Sequence, residues 1–339
     1  MAPRRGILIA LLVATCGLLG LSAASVAARP PSHPVIGIGD ENTYMFRDPR
    51  FLALGIKHVR FDVSWDVFSP AYKNHYRRNA FESWMADAHA EGMTPLITFD
   101  HSDRRGQAGR LPSVAQFSHA FRGLHKRYPW VTQFVTWDEA NYYGEAIARY
   151  PKRAAAYYLA LRRDCPHCAI GAADLLDIAN RRQAVPEIRW ARELMRYAHV
   201  RPAHWALNNY VGANTRSLRA LKQVLRALPG RFWLAETGGI VKFPHHGKPG
   251  FPLTLAHAAA VDRFLLTKVA GLSHRIQGIY LYEWRPPKAR ASWDTALISW
   301  NNRVRPGYDV LAKTLDAWGH APNCAVSLVP PACAATTGS

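Results

Sequence analysis

The sequence predicts a single-domain α/β protein with the architecture of a (β/α)8 TIM barrel. Past residue 34, eight short apolar runs alternate with amphipathic segments, which is the order of strands and helices in such a barrel. The chain has 339 residues, more than the roughly 250 that the fold typically needs. No glycine-rich dinucleotide-binding turn follows the first apolar run, which weighs against a doubly wound open sheet, the competing architecture.

The apolar runs have the composition of buried parallel strands. Each is short and rich in Val, Ile, Phe, Tyr or Trp, and each is bounded by loop residues. In chain order we predict strands at 35–39, 57–65, 93–100, 132–139, 168–176, 204–211, 231–239 and 276–284.

Amphipathic segments fill the intervals between these runs. After residue 113, apolar residues from Val114 to Leu124 fall on one face of a helix. Ser113 and Gln116 have the spacing of a capping box, which marks the start of that helix. Further helices are predicted at 81–91, 151–163, 187–198, 215–227, 254–270 and 306–318.

The first 28 residues have the features of a secretory signal peptide. Two arginines precede the apolar run 6–21, and small residues follow it, with cleavage expected after Ala27 or Ala28. An uncleaved membrane anchor is the alternative. We therefore expect a secreted or extracytoplasmic protein, in which the signal peptide at 1–28 precedes a catalytic barrel at 29–320 and a tail at 321–339.

Four cysteines remain once the signal peptide is removed, and an even number in an oxidising compartment indicates disulfides. Nearest neighbours would pair Cys165 with Cys168 and Cys324 with Cys333, although four cysteines allow three connectivities. The CPHC sequence could instead be a redox dithiol or half of a zinc site, but no second CxxC accompanies it. We expect a structural role for the cysteines, and neither a metal nor another cofactor.

The chain is strongly basic, with 43 Lys and Arg against 24 Asp and Glu and a formal charge of +19. This balance favours polyanionic surroundings such as an anionic cell envelope, a cell wall or an acidic polymer. The charge is spread along the chain, and no nucleic-acid-binding motif accompanies it. We expect the positive charge to keep the protein in anionic surroundings, and we expect no specific nucleic-acid partner. The sequence says nothing about oligomeric state.

Polar side chains collect at the predicted carboxyl ends of the strands, where barrel enzymes carry their active sites. Asp138 and Glu139 follow the fourth apolar run, and Glu236 follows the seventh, so carboxylates lie nearly opposite one another. The other polar candidates are Arg60, Asp100, His101, Asn209 and Tyr210.

Two carboxyl groups facing each other across such an opening suit the cleavage of a glycosidic bond. One carboxylic acid protonates the leaving oxygen, and the other attacks the anomeric carbon. Arg60 could keep the attacking carboxylate ionised, because a nearby cation lowers the pKa of a carboxyl group. The aromatic rings of Trp65, Trp137 and Trp284 could stack on sugar faces.

Two of these strand ends resemble motifs of clan A glycoside hydrolases. TWDEAN is similar to the W-N-E-P-N type of motif after strand four, and FWLAETGG is similar to the nucleophile motif of strand seven. The resemblance, which spans roughly residues 35 to 318, implies that Glu139 is the acid/base and Glu236 the nucleophile. The resemblance also matches Arg60 to the clan's strand-two arginine, Tyr210 to its strand-six His or Tyr, and Trp284 to its strand-eight tryptophan. Within the clan, this chain most resembles the family 39 enzymes.

One position departs from this pattern. The clan usually has Asn directly before the acid/base, where it donates to the sugar's 2-hydroxyl, and this chain has Asp138. An ionised Asp accepts hydrogen bonds but cannot donate one. Its charge would also raise the pKa of Glu139 if the two groups interact.

The leading hypothesis is a secreted retaining glycoside hydrolase that acts on a cell-envelope or matrix polysaccharide. The main alternative is a non-catalytic carbohydrate-binding barrel at an anionic cell surface, in which Asp138 marks altered chemistry. A binder of nucleic acid or anionic surfaces would depend on charge alone and show a steep salt dependence. A metallo-hydrolase is the weakest alternative, because no His-x-His strand end occurs.

Overall fold

A computed structural model describes residues 33–320 apart from 74, 179, 181 and 245–248. The predicted signal peptide and the tail with Cys324 and Cys333 lie outside the described residues. Eight parallel strands close into a barrel, each paired with the next along the chain and the last paired with the first. The strands are β1 Val35–Gly39, β2 His58–Ser64, β3 Thr94–Asp100, β4 Gln133–Val135, β5 Ala169–Leu176, β6 His204–Asn208, β7 Arg231–Thr237 and β8 Ile276–Tyr282.

The closed parallel barrel confirms the predicted fold class, and helices connect its strands. In the described part of the chain they are α1 Pro49–Ala53, α2 His75–Ala90, α3 Val114–Arg127, α4 Pro151–Asp164, α5 Glu187–Ala198, α6 Tyr210–Asn214, α7 Arg219–Ala227, α8 Leu255–Phe264 and α9 Pro306–Ala317. Ser113 and Gln116 form the predicted capping box of α3 through reciprocal hydrogen bonds of 3.1 and 2.8 Å. None of the helices among the described residues has the length and apolar character needed to cross a bilayer.

Two predicted strands are shorter in the structure than in the sequence analysis. The strand predicted to reach residue 139 ends at Val135, and the one predicted to reach residue 211 ends at Asn208. Beyond β4 the backbone still bonds to both neighbouring strands, from the N–H of Asp138 to the carbonyl of Phe99 and from Ala140 to Asp174. The chain therefore stays at the barrel wall but leaves regular strand geometry.

Two aromatic side chains fill the barrel interior. Trp233 and Tyr280 lie there with smaller apolar residues such as Leu96 and Ala206. Gly37 makes room for Tyr280, because a Cβ atom at that position would lie 2.3 Å from the tyrosine ring. A larger apolar cluster fills the space between the strands and the surrounding helices. This packed interior leaves the strand ends as the place for a polar site.

The connection from α4 to β5 contains a disulfide. Cys165 and Cys168 are joined with their Cα atoms 5.4 Å apart, in agreement with the predicted nearest-neighbour pairing. The second predicted pair, Cys324 with Cys333, stays a prediction.

Candidate active site

Arg60 lies at the centre of a group of carboxylates at the carboxyl ends of the strands, which we call the mouth. Its side chain is fully buried on β2, and each terminal nitrogen binds two acids. Nη1 lies 2.8 Å from Asp62 and 2.8 Å from Glu236. Nη2 lies 2.9 Å from Asp138 and 3.2 Å from Asp174. One guanidinium thus joins acids from β2, β5, β7 and the segment after β4.

Glu236, at the end of β7, is held through both carboxylate oxygens. Oε2 accepts from Arg60, and Oε1 accepts from the Tyr210 hydroxyl at 2.9 Å. Tyr210 is the first residue of α6 and lies beyond the end of β6. The α6 backbone is fixed by Asp177, which accepts from the N–H groups of Val211 at 2.9 Å and Gly212 at 2.7 Å. These contacts orient the carboxylate toward one position.

Glu139 lies in the irregular segment after β4. Its backbone has φ 38°, the left-handed region that a side chain with Cβ seldom adopts. Burial, followed by the charges of Glu236 and Asp174, raises the pKa of Glu139 to about 8. The side-chain amide of Asn208 lies beside Glu139 and offsets part of this rise. Glu139 therefore holds a proton at neutral pH while it faces Glu236.

Asp138 has a side chain that is 18% exposed, and it faces the same centre as Arg60. Burial, and then the charge of Asp62, raises its pKa well above the ordinary value, although Arg60 opposes the rise. It also hydrogen-bonds to Asp174. A carboxyl group that keeps its proton can donate a hydrogen bond, as an amide does.

The structure adds acidic and phenolic groups that the sequence analysis missed. Asp62 and Asp174 lie inside β2 and β5 and resemble core positions in the sequence, so only their contact with Arg60 reveals them. Glu41 follows β1, and its carboxylate accepts from the Tyr282 hydroxyl at 3.2 Å. Burial raises the pKa of Asp174 and of Glu41 to about 7. The position of Glu41 directly after the first strand was the signal that could have identified it.

Asp100 and His101 form a small network at the rim of the mouth. His101 Nδ1 lies 2.8 Å from Asp100 and 3.1 Å from Glu145. The hydrogen bonds from Asp100 and Glu145 raise the pKa of His101 to about 10, so the ring is a cation at neutral pH. Trp137 donates from its indole nitrogen to Glu145 at 3.1 Å. This network braces the segment that carries Glu139.

Two of the three tryptophans predicted to stack on sugars, Trp137 and Trp284, are buried. Trp137 is fully buried against Phe117 and Tyr157. Trp284 is 1% exposed. Its indole nitrogen donates to Asp48 at 3.0 Å, and its ring packs on the side of the strands that faces the helices. Trp65 lines a groove of about 560 Å³ between the loop after β2 and α3.

Asn209 also differs from its predicted role. Its backbone N–H donates to the carbonyl of Glu236 at 3.0 Å. Its side-chain oxygen is directed at Gly212, where a Cβ atom would lie 2.5 Å away. Of the neighbours Asn209 and Tyr210, Tyr210 is the one whose side chain reaches the Glu236 carboxylate. Asn209 acts through its backbone.

An exposed aromatic platform lies beside the end of β8. The Arg285 guanidinium lies 5.3 Å from the ring centre of Tyr44 and 5.1 Å from that of Trp300. Tyr44 is 64% exposed and Trp300 41% exposed. The backbone N–H of Arg285 donates to Asp40, the residue after β1, at 3.1 Å. The rim therefore offers apolar ring faces next to a positive charge.

Three acids at the centre of the mouth lie close enough together to hold a metal ion, and all three are paired with an arginine. Oxygens of Asp62, Asp138 and Glu236 all lie within 4.8 Å of one another, the spacing of a metal site. The Arg60 guanidinium pairs with all three and supplies the positive charge there. A carboxylate group built around a buried arginine is suited to acid–base and nucleophilic chemistry.

Comparison with known proteins places this barrel among glycoside hydrolase folds. No family model and no curated protein sequence matches the chain. Among solved structures, a family 39 glycoside hydrolase from the gut symbiont Bacteroides cellulosilyticus WH2 is 15% identical with a TM-score of 0.57. The match covers 84% of this chain and 64% of that one, so this chain spans less than two thirds of that relative.

Two further structures match over most of both chains. A Penicillium canescens endo-1,4-beta-xylanase is 12% identical with a TM-score of 0.59, covering 86% of this chain and 96% of its own. A family 1 β-glucosidase from Thermotoga maritima is 12% identical with a TM-score of 0.57, covering 83% and 86%. The chain has the barrel fold of clan A glycoside hydrolases, as its strand-end motifs predict.

Proposed function

We propose that this protein is a secreted retaining glycoside hydrolase that cleaves a cell-envelope or matrix polysaccharide. The observation that carries the proposal is the contrast between two carboxyl groups at the mouth. Glu139 is kept protonated by burial and by the charge of Glu236. Glu236 is fixed by the Arg60 guanidinium and the Tyr210 hydroxyl. Opposite surroundings for two carboxyl groups are what an acid catalyst and a nucleophile require.

In the proposed reaction, a carboxylate oxygen of Glu236 attacks C1 of the sugar while Glu139 gives its proton to the glycosidic oxygen. The glycosidic bond breaks and an ester bond to Glu236 forms. Glu139, now ionised, takes a proton from water, whose oxygen attacks C1 and releases Glu236 as a carboxylate. Both displacements invert C1, so the product keeps the configuration of the substrate.

The rim supports a polymeric and partly acidic substrate. The exposed rings of Tyr44 and Trp300 suit stacking on sugar faces, and Arg285 between them suits a carboxylate on a neighbouring sugar unit. The formal charge of +19 favours the same kind of partner. The apolar start of the chain and the disulfide between Cys165 and Cys168 support an extracytoplasmic location.

The test is turnover on a panel of cell-envelope and matrix polysaccharides, with Glu139→Gln and Glu236→Gln beside the wild type. We expect the wild type to release oligosaccharides and both variants to lose this activity, because each amide removes one carboxyl of the pair. Glu193→Gln, on the exposed side of α5, is the matched control and should keep full activity. The anomer formed first, read by NMR, should have the configuration of the substrate.

Three outcomes would contradict the proposal. Wild type and both variants might retain the same glycan without cleaving any member of the panel, which would favour the non-catalytic carbohydrate-binding barrel. Activity that survives in Glu236→Gln would remove Glu236 from the nucleophile role. An inverted first product would replace the double displacement with a single one.

A further inference from the structure

Four side chains form a cluster of sulfur and imidazole groups at the end of the barrel opposite the mouth. His125 lies in the last turn of α3. Cys165, His167 and Cys168 lie in the connection that enters β5 at its amino end. The acids of the candidate active site follow the carboxyl ends of the strands. The cluster is thus separate from that site, and the proposed glycosidase chemistry does not use it.

The sulfur–nitrogen distances of the cluster match those of a tetrahedral metal site, whereas the two sulfurs are joined in the disulfide. His125 Nε2 lies 3.7 Å from Cys165 Sγ and 3.8 Å from Cys168 Sγ. His167 Nε2 lies 3.5 Å from Cys165 Sγ. All four ligand atoms lie within 4.8 Å of one another. Zinc with Zn–S near 2.3 Å and Zn–N near 2.0 Å sets neighbouring ligand atoms roughly 3.3 to 3.8 Å apart.

The rings of the cluster are already positioned for binding. His125 is stacked on Phe121 with centroids 5.8 Å apart and meets the edge of Phe134 at 5.9 Å. His167 is exposed in a short connection, so its ring can adjust to a bound ion. A second CxxC motif is missing from the sequence, and the fold brings two histidines to the first one instead.

We propose that the reduced protein binds one zinc ion through His125, Cys165, His167 and Cys168. A dithiol reductant gives two electrons and two protons to the disulfide and becomes a disulfide itself. Each thiol then loses its proton to solvent as its sulfur binds the metal, and the two sulfurs separate to roughly 3.8 Å. Two thiolates and two neutral imidazoles leave the zinc site without net charge.

The oxidised and the metal-bound forms exclude each other. Both sulfurs are used by the disulfide in the structure, so the ion binds only after reduction. Zinc would hold Cys165 and Cys168 together in place of the disulfide. Through His125, the same ion would also connect α3 to the segment that enters β5. The connection would keep its shape in both redox states. This arrangement makes the base of the barrel independent of the redox state of its surroundings.

The test uses the full-length protein, reduced by a phosphine and titrated with Co²⁺ without oxygen, followed by Zn²⁺. We expect one cobalt ion per chain with the visible absorption of a tetrahedral thiolate site, and its loss when zinc is added. Cys165→Ser/Cys168→Ser should abolish this absorption. His125→Asn and His167→Asn should each weaken binding by about tenfold or more. His119→Asn, on the same helix as His125, is the matched control.

Three results would overturn the proposal. The reduced wild type could show no thiolate–cobalt absorption. The double cysteine variant could bind cobalt as tightly as the wild type, which would assign binding to the other cysteines of the chain. Both histidine variants could bind like the wild type. Because His167 is exposed, His167→Asn keeps the test valid even if His125→Asn unfolds, and thermal melts of the oxidised variants check this.

Discussion

Asp138 stands where clan A enzymes usually have Asn, and its protonation decides what it can offer a substrate. Its buried position among Asp62, Asp174 and Glu139 raises its pKa well above the ordinary value. We propose that the raised pKa lets Asp138 donate a hydrogen bond to the substrate as the usual amide would, which an ionised Asp could not do.

This view predicts different outcomes for two substitutions. Asp138→Asn should keep kcat/KM within about threefold of wild type at neutral pH, whereas Asp138→Ala should lose roughly 10²-fold through the missing donor. The activity of Asp138→Asn relative to wild type should rise with pH, because the amide cannot ionise. Steady-state kinetics across pH measure both. Equal losses in the two variants would show that the carboxyl itself is needed.

Glu139 carries the second residue-scale prediction. Its pKa of about 8 requires kcat/KM to fall as pH rises through about 8, because the ionised form cannot protonate the leaving oxygen. Asp174→Asn removes one charge that raises this pKa and should move the alkaline limb to lower pH. Asp309→Asn, exposed on α9, should leave the limb in place. An alkaline limb that does not move in Asp174→Asn would assign it to another group.

At the level of elements, the sequence predicted most strand positions to within one or two residues. The exceptions are the ends of β4 and β6, where tertiary contacts decide the backbone. The N–H of Asp138 bonds to Phe99 across the sheet, and Asp177 fixes the start of α6 from a different connection. The apolar runs in the sequence continue past the ends of β4 and β6, and they do not show which distant groups bind the backbone there. Boundaries that depend on distant acceptors could not have been predicted from local pattern.

The sequence predicted part of the candidate site, and the rest depends on tertiary contacts that the sequence does not show. Glu139, Glu236, Arg60 and Tyr210 are brought together, because barrel topology alone places strand ends at one mouth. Trp137 and Trp284 are directed into the core, and nothing in their sequence neighbours distinguishes a ring that faces solvent from one that faces a helix.

The glycine on β1 gives a prediction about the barrel interior. Gly37→Ala places a Cβ atom 2.3 Å from the ring of Tyr280, which is fully buried and cannot move aside. We expect a loss of about 1 to 3 kcal/mol in the free energy of unfolding. Gly123→Ala, in α3 with no atom within 4 Å of the new Cβ, should be neutral or stabilising by up to about 1 kcal/mol. Denaturant titrations compare the two, and equal stabilities would contradict the packing argument.

For the whole molecule, buried carboxyl groups make stability depend on pH. Burial raises the pKa of Asp177 to about 8 and that of Asp262 to about 7. A folded-state pKa above the unfolded value gives stability that is fully present below the unfolded pKa and is lost as pH rises through the folded one. The free energy of unfolding should therefore decrease from about pH 4 to about pH 8.

A variant with Asp177→Asn and Asp262→Asn tests this directly. Neither amide ionises, so the slope of stability against pH should become shallower, even if the lost acceptor at Asp177 lowers stability by a constant amount. Denaturation at several pH values gives the slope. An unchanged slope would mean that other groups control the pH dependence.

The acids that surround Arg60 should affect the enthalpy measured when a substrate binds. Burial raises the pKa of its neighbours Asp62, Asp138 and Asp174, so these carboxyl groups take up protons more readily than ordinary acids. A sugar that displaces water from the mouth disfavours the ionised carboxyls and draws protons from the buffer. Calorimetry in buffers of different ionisation enthalpy would count these protons. Binding of an uncharged sugar would thus change the net charge of the protein, because the carboxyl groups at the mouth take up protons.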